Sequence, residues 1–189
     1  MEKLAELIEG CKANDRKAQS ELYSLWYCNL MRIARKYKKN EEDAAYLVND
    51  AFFKILTNIQ NYNPLLPFEA WIKRITINTV IDDFRKNKKL KDILKLDDFE
   101  STDHLEFETI LNVAENDLDA KEILKLIESL EEEEKFVFNM FEIDGYSHHE
   151  IANELGVSER TSKRYLASAR NNLKAMITKV FQTVNMILL

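Results

Sequence analysis

The sequence predicts an all-α protein of two small helical domains joined by an acidic linker, and three observations carry that expectation. Three Gly and two Pro in 189 residues leave few breakers, and Leu, Ile, Glu and Lys supply many helix formers. Apolar residues recur at spacings of three and four along most of the chain. Charge is segmented. Residues 1–96 carry 18 Lys+Arg against 13 Asp+Glu (net +5), residues 97–134 carry 2 against 15 (net −13), and residues 135–189 carry 7 against 5 (net +2). The overall −6 therefore hides two mildly basic segments that phosphate can approach. The expected divisions are 1–95, 96–120 and 121–189.

The elements follow in order. The opening MEKLAELIEGCK is amphipathic rather than a signal peptide, and no run of about 18 apolar residues is present, so a cytoplasmic protein with no membrane insertion is expected. Cys11 and Cys28 lie in no pairing or metal motif and are read as reduced thiols. Ala18, Leu22, Leu25, Trp26, Leu30, Ile33, Ala34 and Tyr37 repeat at helical spacing. Asn40 is placed to cap a helix reaching Asn58, with Glu41, Glu42 and Asp43 in its positive first turn. The stretch 61–68 holds both prolines and predicts a loop. A helix from about Glu69 to Lys89 ends in the basic cluster Arg85, Lys86, Lys88, Lys89 and Lys91. Residues 97–119 contain no Lys or Arg and read as a linker, with a transient helix around 105–116. Helical spacing resumes at Ala120 through Ile123, Leu124, Ile127 and Leu130, and Asp144-Gly145 turns the chain. The final stretch 180–189 either extends the last helix or covers an apolar surface.

Residues 147–170 are the most informative. Ser147 and Glu150 form the pattern of a capping box, Gly156 suits a left-handed exit, and Ser158 can cap the next helix. That is the sequence form of a helix-turn-helix, whose second helix enters a DNA major groove. On that helix Ser162, Leu166, Ala169, Leu173, Ile177 and Val180 share one face, and Arg160, Lys163, Arg164, Ala167, Ser168 and Asn171 share the other. Long basic donors beside short side chains allow close approach to base edges.

Catalytic readings fail on spacing. His149-Glu150 opens a zinc-protease-like pattern, but Asn153 stands where the second histidine must share a face with the first. His148 and His149 diverge by about 100°, as do Asp82 and Asp83. There is no Gly-rich phosphate loop and no Ser or Cys nucleophile motif, so no enzyme, metal, cofactor or small-molecule substrate is expected.

Two blocks of residues carry a further signal. The first comprises Asp43, Ala44, Leu47, Val48, Asn49, Asp50, Phe52, Phe53 and Leu56, then Phe68, Ala70, Trp71, Ile72, Ile75, Asn78, Asp82 and Arg85. The second comprises Leu130, Phe136, Val137, Phe138, 143–147, 150–152, 155–158, Thr161, Lys163, Ala169, Arg170 and Leu173. In their order and spacing these blocks are similar to a bacterial RNA polymerase sigma factor of the extracytoplasmic-function class (sigma-70 family, group IV). The resemblance implies a sigma-2-like domain, a linker that threads a basic channel of the polymerase, and a sigma-4-like helix-turn-helix domain. It implies promoter-specific transcription initiation with core RNA polymerase (β′ clamp helices and β flap) and promoter DNA as partners. It leaves open an anti-sigma factor.

Residue by residue, the resemblance assigns the −35 element to Lys163, Arg164, Ala167 and Ser168, with Arg160, Thr161 and Arg170 on phosphates. It assigns the −10 element to the region 61–85. There Asn61 and Asn63 lie in the proline-braced loop, Asn78 lies near the strand, and Lys73, Arg74 and Arg85 meet phosphates. It assigns polymerase docking to Asp43, Leu47, Val48, Asn49, Asp50 and Phe52, of which the apolar three pack. Trp71, in apolar spacing with Phe68 and Ile75, is read as core. Arg160 stands where the family often has Gly, and Arg164 where it often has Ser, so the −35 sequence does not carry over. The alternative is a helix-turn-helix regulator whose N-terminal helices dimerise or bind a ligand.

Overall fold

The computed structural model describes residues 2–38, 40–91 and 120–187, with side chains described for 3–38, 40–86 and 122–180. Among these, regular structure is entirely helical, with eight α-helices and no strand, as expected. The chain divides into two units, Met1–Ile93 and Leu94–Leu189.

The first unit holds α1 (Glu2–Lys12), α2 (Arg16–Arg35), α3 (Glu41–Asn58) and α4 (Phe68–Lys91). Asn14 takes a left-handed conformation (φ 59°) in the tight turn after α1, and Asp15 then caps α2 by accepting the Lys17 amide at 2.9 Å. Gly10 lets the first two helices touch, because a Cβ there would lie 2.6 Å from that of Ala18. Asn40 caps α3 by accepting the Asp43 amide at 2.7 Å. Leu22, Leu30 and Ala34 of α2, Ala44, Leu47, Val48 and Ile55 of α3, and Ile72, Val80 and Ile81 of α4 form the core. Leu25, counted in the helical repeat, is instead 56% exposed. The adjacent Asp82 and Asp83 diverge to separate cations, Asp82 to Lys54 at 3.2 Å and Asp83 to Lys38.

The proline segment differs slightly from expectation. Ile59–Asn61 forms one 3-10 turn, and α4 begins at Phe68, one residue earlier than its sequence-based start. Between them Tyr62 donates its hydroxyl proton to the Leu66 carbonyl at 2.6 Å, and Asn63 Oδ1 accepts the Leu65 amide at 3.0 Å. Those bonds close the loop on itself and leave Leu65 90% exposed.

The second unit holds α5 (Ala120–Glu128), α6 (Glu132–Phe138), α7 (His148–Leu155) and α8 (Glu159–Ile187). A π-turn over Asn139–Ile143 widens the end of α6. Its exit is secured by Asp144 N–H to Asn139 O and Tyr146 N–H to Met140 O, both 2.9 Å, and Gly145 turns the chain at φ 76°. Leu130, Phe136, Val137, Met140, Ile151, Leu155, Leu166, Ala169, Leu173 and Ile177 make its core. The expected linker, 96–120, and its transient helix lie outside the described residues except for Ala120, the first residue of α5. The terminal stretch enters α8 as far as Ile187, and its side chains beyond residue 180 lie outside the description. No described helix is long and apolar enough to cross a membrane.

Candidate functional site

The helix-turn-helix of the second unit is built by its caps. Glu150 accepts the Ser147 amide at 2.8 Å while Ser147 Oγ accepts the Glu150 amide at 3.2 Å, closing the capping box. The Ser147 backbone N–H, and after it the Ser147 hydroxyl, hold the Glu150 carboxyl below its ordinary value. Gly156 ends α7 at φ 65°, ψ 36°, with the Val157 amide returning to the Ala152 carbonyl at 3.1 Å. Ser158 Oγ then accepts the Thr161 amide at 3.0 Å and starts α8. His149 ties the two helices by meeting Glu159 at 2.9 Å, and His148 Nδ1 meets the buried Ser162 hydroxyl at 3.0 Å. The His148 ring stacks on Phe141 at 4.5 Å.

These contacts fix which way α8 faces. Ser162, Leu166, Ala169, Leu173 and Ile177 are buried, and Val180 is half-buried. Arg160, Lys163 and Asn171 are exposed, and Arg164 and Ala167 are half-buried beside them. The Arg164 guanidinium lies 5.4 Å from the centre of the neighbouring Tyr165 ring. Three candidate residues are committed within the fold. Thr161 belongs to the cap, with its hydroxyl 2.8 Å from Ser158 Oγ. Ser168 donates to Glu134 at 2.6 Å. Arg170 donates through Nε (3.0 Å) and Nη2 (2.6 Å) to Glu142 and lies over the Phe141 ring. Nothing in the periodicity of α8 reveals Glu134 or Glu142, because both stand on other elements, Glu134 in a run of four glutamates and Glu142 between Phe141 and Ile143.

In the first unit α3 sorts its candidates by burial. Leu47, Val48 and Phe52 are buried at 2%, 0% and 7% exposure and pack inward. Asp43 and Asn49 are exposed and Asp50 is half-buried, 3.5 Å from Lys54. Asn49 accepts the Tyr23 hydroxyl at 2.7 Å, and the Tyr23 ring meets Phe52 edge-on at 4.9 Å. Two large side chains were missed as surface groups. Tyr46 and Phe53, 71% and 66% exposed, stand with Asn49 at spacings of three and four on the outer face. Tyr46 and Phe53 lie two turns apart on one stripe of α3.

On α4 Arg74 and Asn78, one turn apart, are exposed together. Lys73 and Arg85 are half-buried, and Lys73 lines a different surface, a cleft of about 290 Å3 with Trp26, Arg32, Lys36 and Glu69. Asn61 and Asn63 are exposed on the 3-10 turn and the loop. The loop and α1 flank a second cleft of about 420 Å3, lined by Leu4, Ile8, Glu9, Tyr62, Leu65 and Pro67. Trp71 packs against Tyr62 and Phe68 with ring centres 5.2 and 5.6 Å away, within an aromatic group that also holds Trp26.

The model of the family described as ECF sigma factor matches residues 1–179. The chain is 26% identical over 148 residues to the ECF RNA polymerase sigma factor SigE of Mycolicibacterium smegmatis, covering 78% of this chain and 57% of that protein. It is 26% identical over 186 residues to the ECF RNA polymerase sigma factor SigM of Mycobacterium tuberculosis, covering 96% and 88%. A solved structure of the Bartonella quintana sigma factor RpoE with the anti-sigma factor NepR is 19% identical, covering 85% of this chain and 96% of that one, at a TM-score of 0.49.

Proposed function

The chain belongs to the ECF sigma factor family, and on that premise we propose that it binds core RNA polymerase and directs promoter-specific transcription initiation. The observation that carries this reading is the two-faced α8. Its buried stripe from Ser162 to Ile177 is opposed by Arg160, Lys163, Arg164, Ala167 and Asn171, long donors flanking one small residue. Such a helix in a major groove reads base edges with Lys163 and Arg164 while Arg160 meets phosphate. Ser168, Thr161 and Arg170 serve the same grip from within the fold, through the bonds already described.

The first unit takes the melted −10 strand and the polymerase. Arg74 and Asn78 face outward on α4 with Asn61 and Asn63 on the adjoining turn and loop, Arg85 adds a cation, and Lys73 meets phosphate from the cleft it lines with Trp26 and Glu69. A proline-braced loop beside a cleft suits a base unstacked from the strand, at a cost of a few kcal/mol offset by pocket contacts. The polymerase meets the outer face of α3 through Asp43, Asn49 and Asp50, and through Tyr46 and Phe53, while Leu47, Val48 and Phe52 hold that face from inside. Segments 1–95 and 121–189 thus divide recognition, joined by 96–120. Sigma factors are transcription initiation factors, and this chain positions the polymerase with no bond-making step of its own, in the cytoplasm. Family membership disfavours the ligand-binding regulator.

The test is core polymerase with and without the protein on a promoter library. New, sequence-specific start sites are expected only with the protein present. Unaided dimeric binding to duplex DNA with no new start sites would contradict the reading.

A further inference from the structure

We propose that Glu134 is a positioning residue for −35 recognition, setting the rotation and axial register of α8 through Ser168 and Asn172. The inference rests on the reading of α8 as the base-reading helix and adds a residue on another helix to it. Glu134 sits on α6 and is 9% exposed. Ser168 Oγ donates to its Oε1 at 2.6 Å, and Asn172 Nδ2 donates to its Oε2 at 2.8 Å. Each carboxylate oxygen therefore holds one donor, and the two donors are one helical turn apart.

That spacing makes the contact directional. Beside the Ser162–His148 and Arg170–Glu142 contacts, a single bond here would restrain α8 at one point only. Two bonds spaced along the helix axis resist rotation and sliding together, because either motion lengthens at least one. Charge-assisted bonds are short and directional, and add geometric specificity to the apolar packing around them. Ser168 and Asn172 also lie one residue beyond Ala167 and Asn171, about 100° around the helix from the outward face. With a helix radius of about 5–6 Å, a 20° rotation moves an outward side chain by roughly 2 Å. A shift of that size separates a hydrogen-bonding fork from a base edge. Ser168 on this account acts on DNA through Glu134, not by touching bases.

The experiment uses the reconstituted holoenzyme and a promoter library randomised at the −35 element with a fixed −10 element. E134Q keeps the size of the side chain but sets an amide N–H2 against one of the two donors. It is expected to reorder the ranking of −35 sequences and to lower transcription from the best one by at least about fivefold, the lower end of a misaligned base contact. Transcription from a template with a pre-melted −10 region and no −35 element should stay unchanged. Ser168→Ala should reorder the ranking in the same direction, and the double variant should be no worse than the worse single one. Asn172→Ala, at the end of the same bond pair, carries the test if E134Q does not fold. A uniform loss over all −35 sequences, an unchanged ranking, or losses that multiply in the double variant would overturn the proposal. Lys163→Ala with Arg164→Ala serves as the control: if that pair leaves −35 dependence intact, the underlying reading of α8 fails instead.

Discussion

Thr76 and Thr79 in the first unit and Glu134 and Ser162 in the second are all buried, yet they spend their hydrogen bonds differently. Each threonine hydroxyl returns to the carbonyl one turn back on its own helix, at 2.8 and 2.9 Å, and links nothing to anything else. Glu134 reaches from α6 to α8, and Ser162 reaches from α8 to His148 of α7. Helix length explains the contrast. Helices of 20, 18 and 24 residues in the first unit bury long apolar stripes, and their cross-links, Lys54–Asp82, Lys38–Asp83 and Tyr23–Asn49, lie outside that core. In the second, helices of 9, 7 and 8 residues are too short to persist alone and are held against the 29-residue α8. On the proposed division of labour, a platform for a melted strand needs a firm surface, whereas one helix reading a groove needs its angle fixed.

Both tryptophans, Trp26 and Trp71, lie in the first unit, so indole fluorescence reports that unit alone. This allows the contrast to be broken or sharpened by substitution. The largest effect is expected for Leu47→Ala, which removes a side chain 2% exposed and costs about 2–5 kcal/mol. The tryptophan transition in denaturant should move accordingly, and polymerase binding should fall only as the unit unfolds. Loss of binding with an unmoved transition would make Leu47 a direct contact. Gly10→Ala should follow, at about 1–3 kcal/mol in the same transition, since its Cβ would crowd Ala18 with no flexible group to yield.

The second unit should answer to backbone and caps. Gly156→Ala meets no neighbour within 4 Å but is forced to φ 65°, and should cost about 1–2 kcal/mol. Helical circular dichroism should register this while tryptophan fluorescence does not. Ser147→Ala should cost about 1 kcal/mol by the same measurement. The smallest effect is one of pH. The Glu150 carboxyl is held below its ordinary value by Ser147, so the stabilisation it adds is complete above the ordinary glutamate range. It is lost as pH falls through the lowered value. Glu150→Gln should flatten that acid dependence, and an unchanged acid profile would remove the capping box as its source.

Periodicity and cap chemistry made much of this architecture legible. Ser147, Glu150, Gly156 and Ser158 act locally, over spacings that a linear sequence displays, and the structure uses each as expected. The buried stripe of α8 was equally readable, because 3.6-residue periodicity survives whatever it packs against. Contacts that join distant positions were not. Glu134 and Ser168 are 34 residues apart, and Glu142 and Arg170 are 28 apart. Within EEEE nothing distinguishes the one glutamate that turns inward. Tyr46 and Phe53 were hidden for the opposite reason, since apolar residues in a helix read as core until burial shows otherwise.

The central claim is the division of promoter recognition between the two units, and a paired experiment tests it most directly. Lys163→Ala with Arg164→Ala, beside Arg74→Ala with Asn78→Ala, would be measured for core-polymerase affinity and for transcription from templates with and without a −35 element. The first pair should lose −35-dependent transcription and keep core binding and pre-melted −10 use. The second should lose −10 use on both templates and keep core binding. Loss of core binding by the α8 pair, or loss of −35 dependence by the α4 pair, would contradict the division.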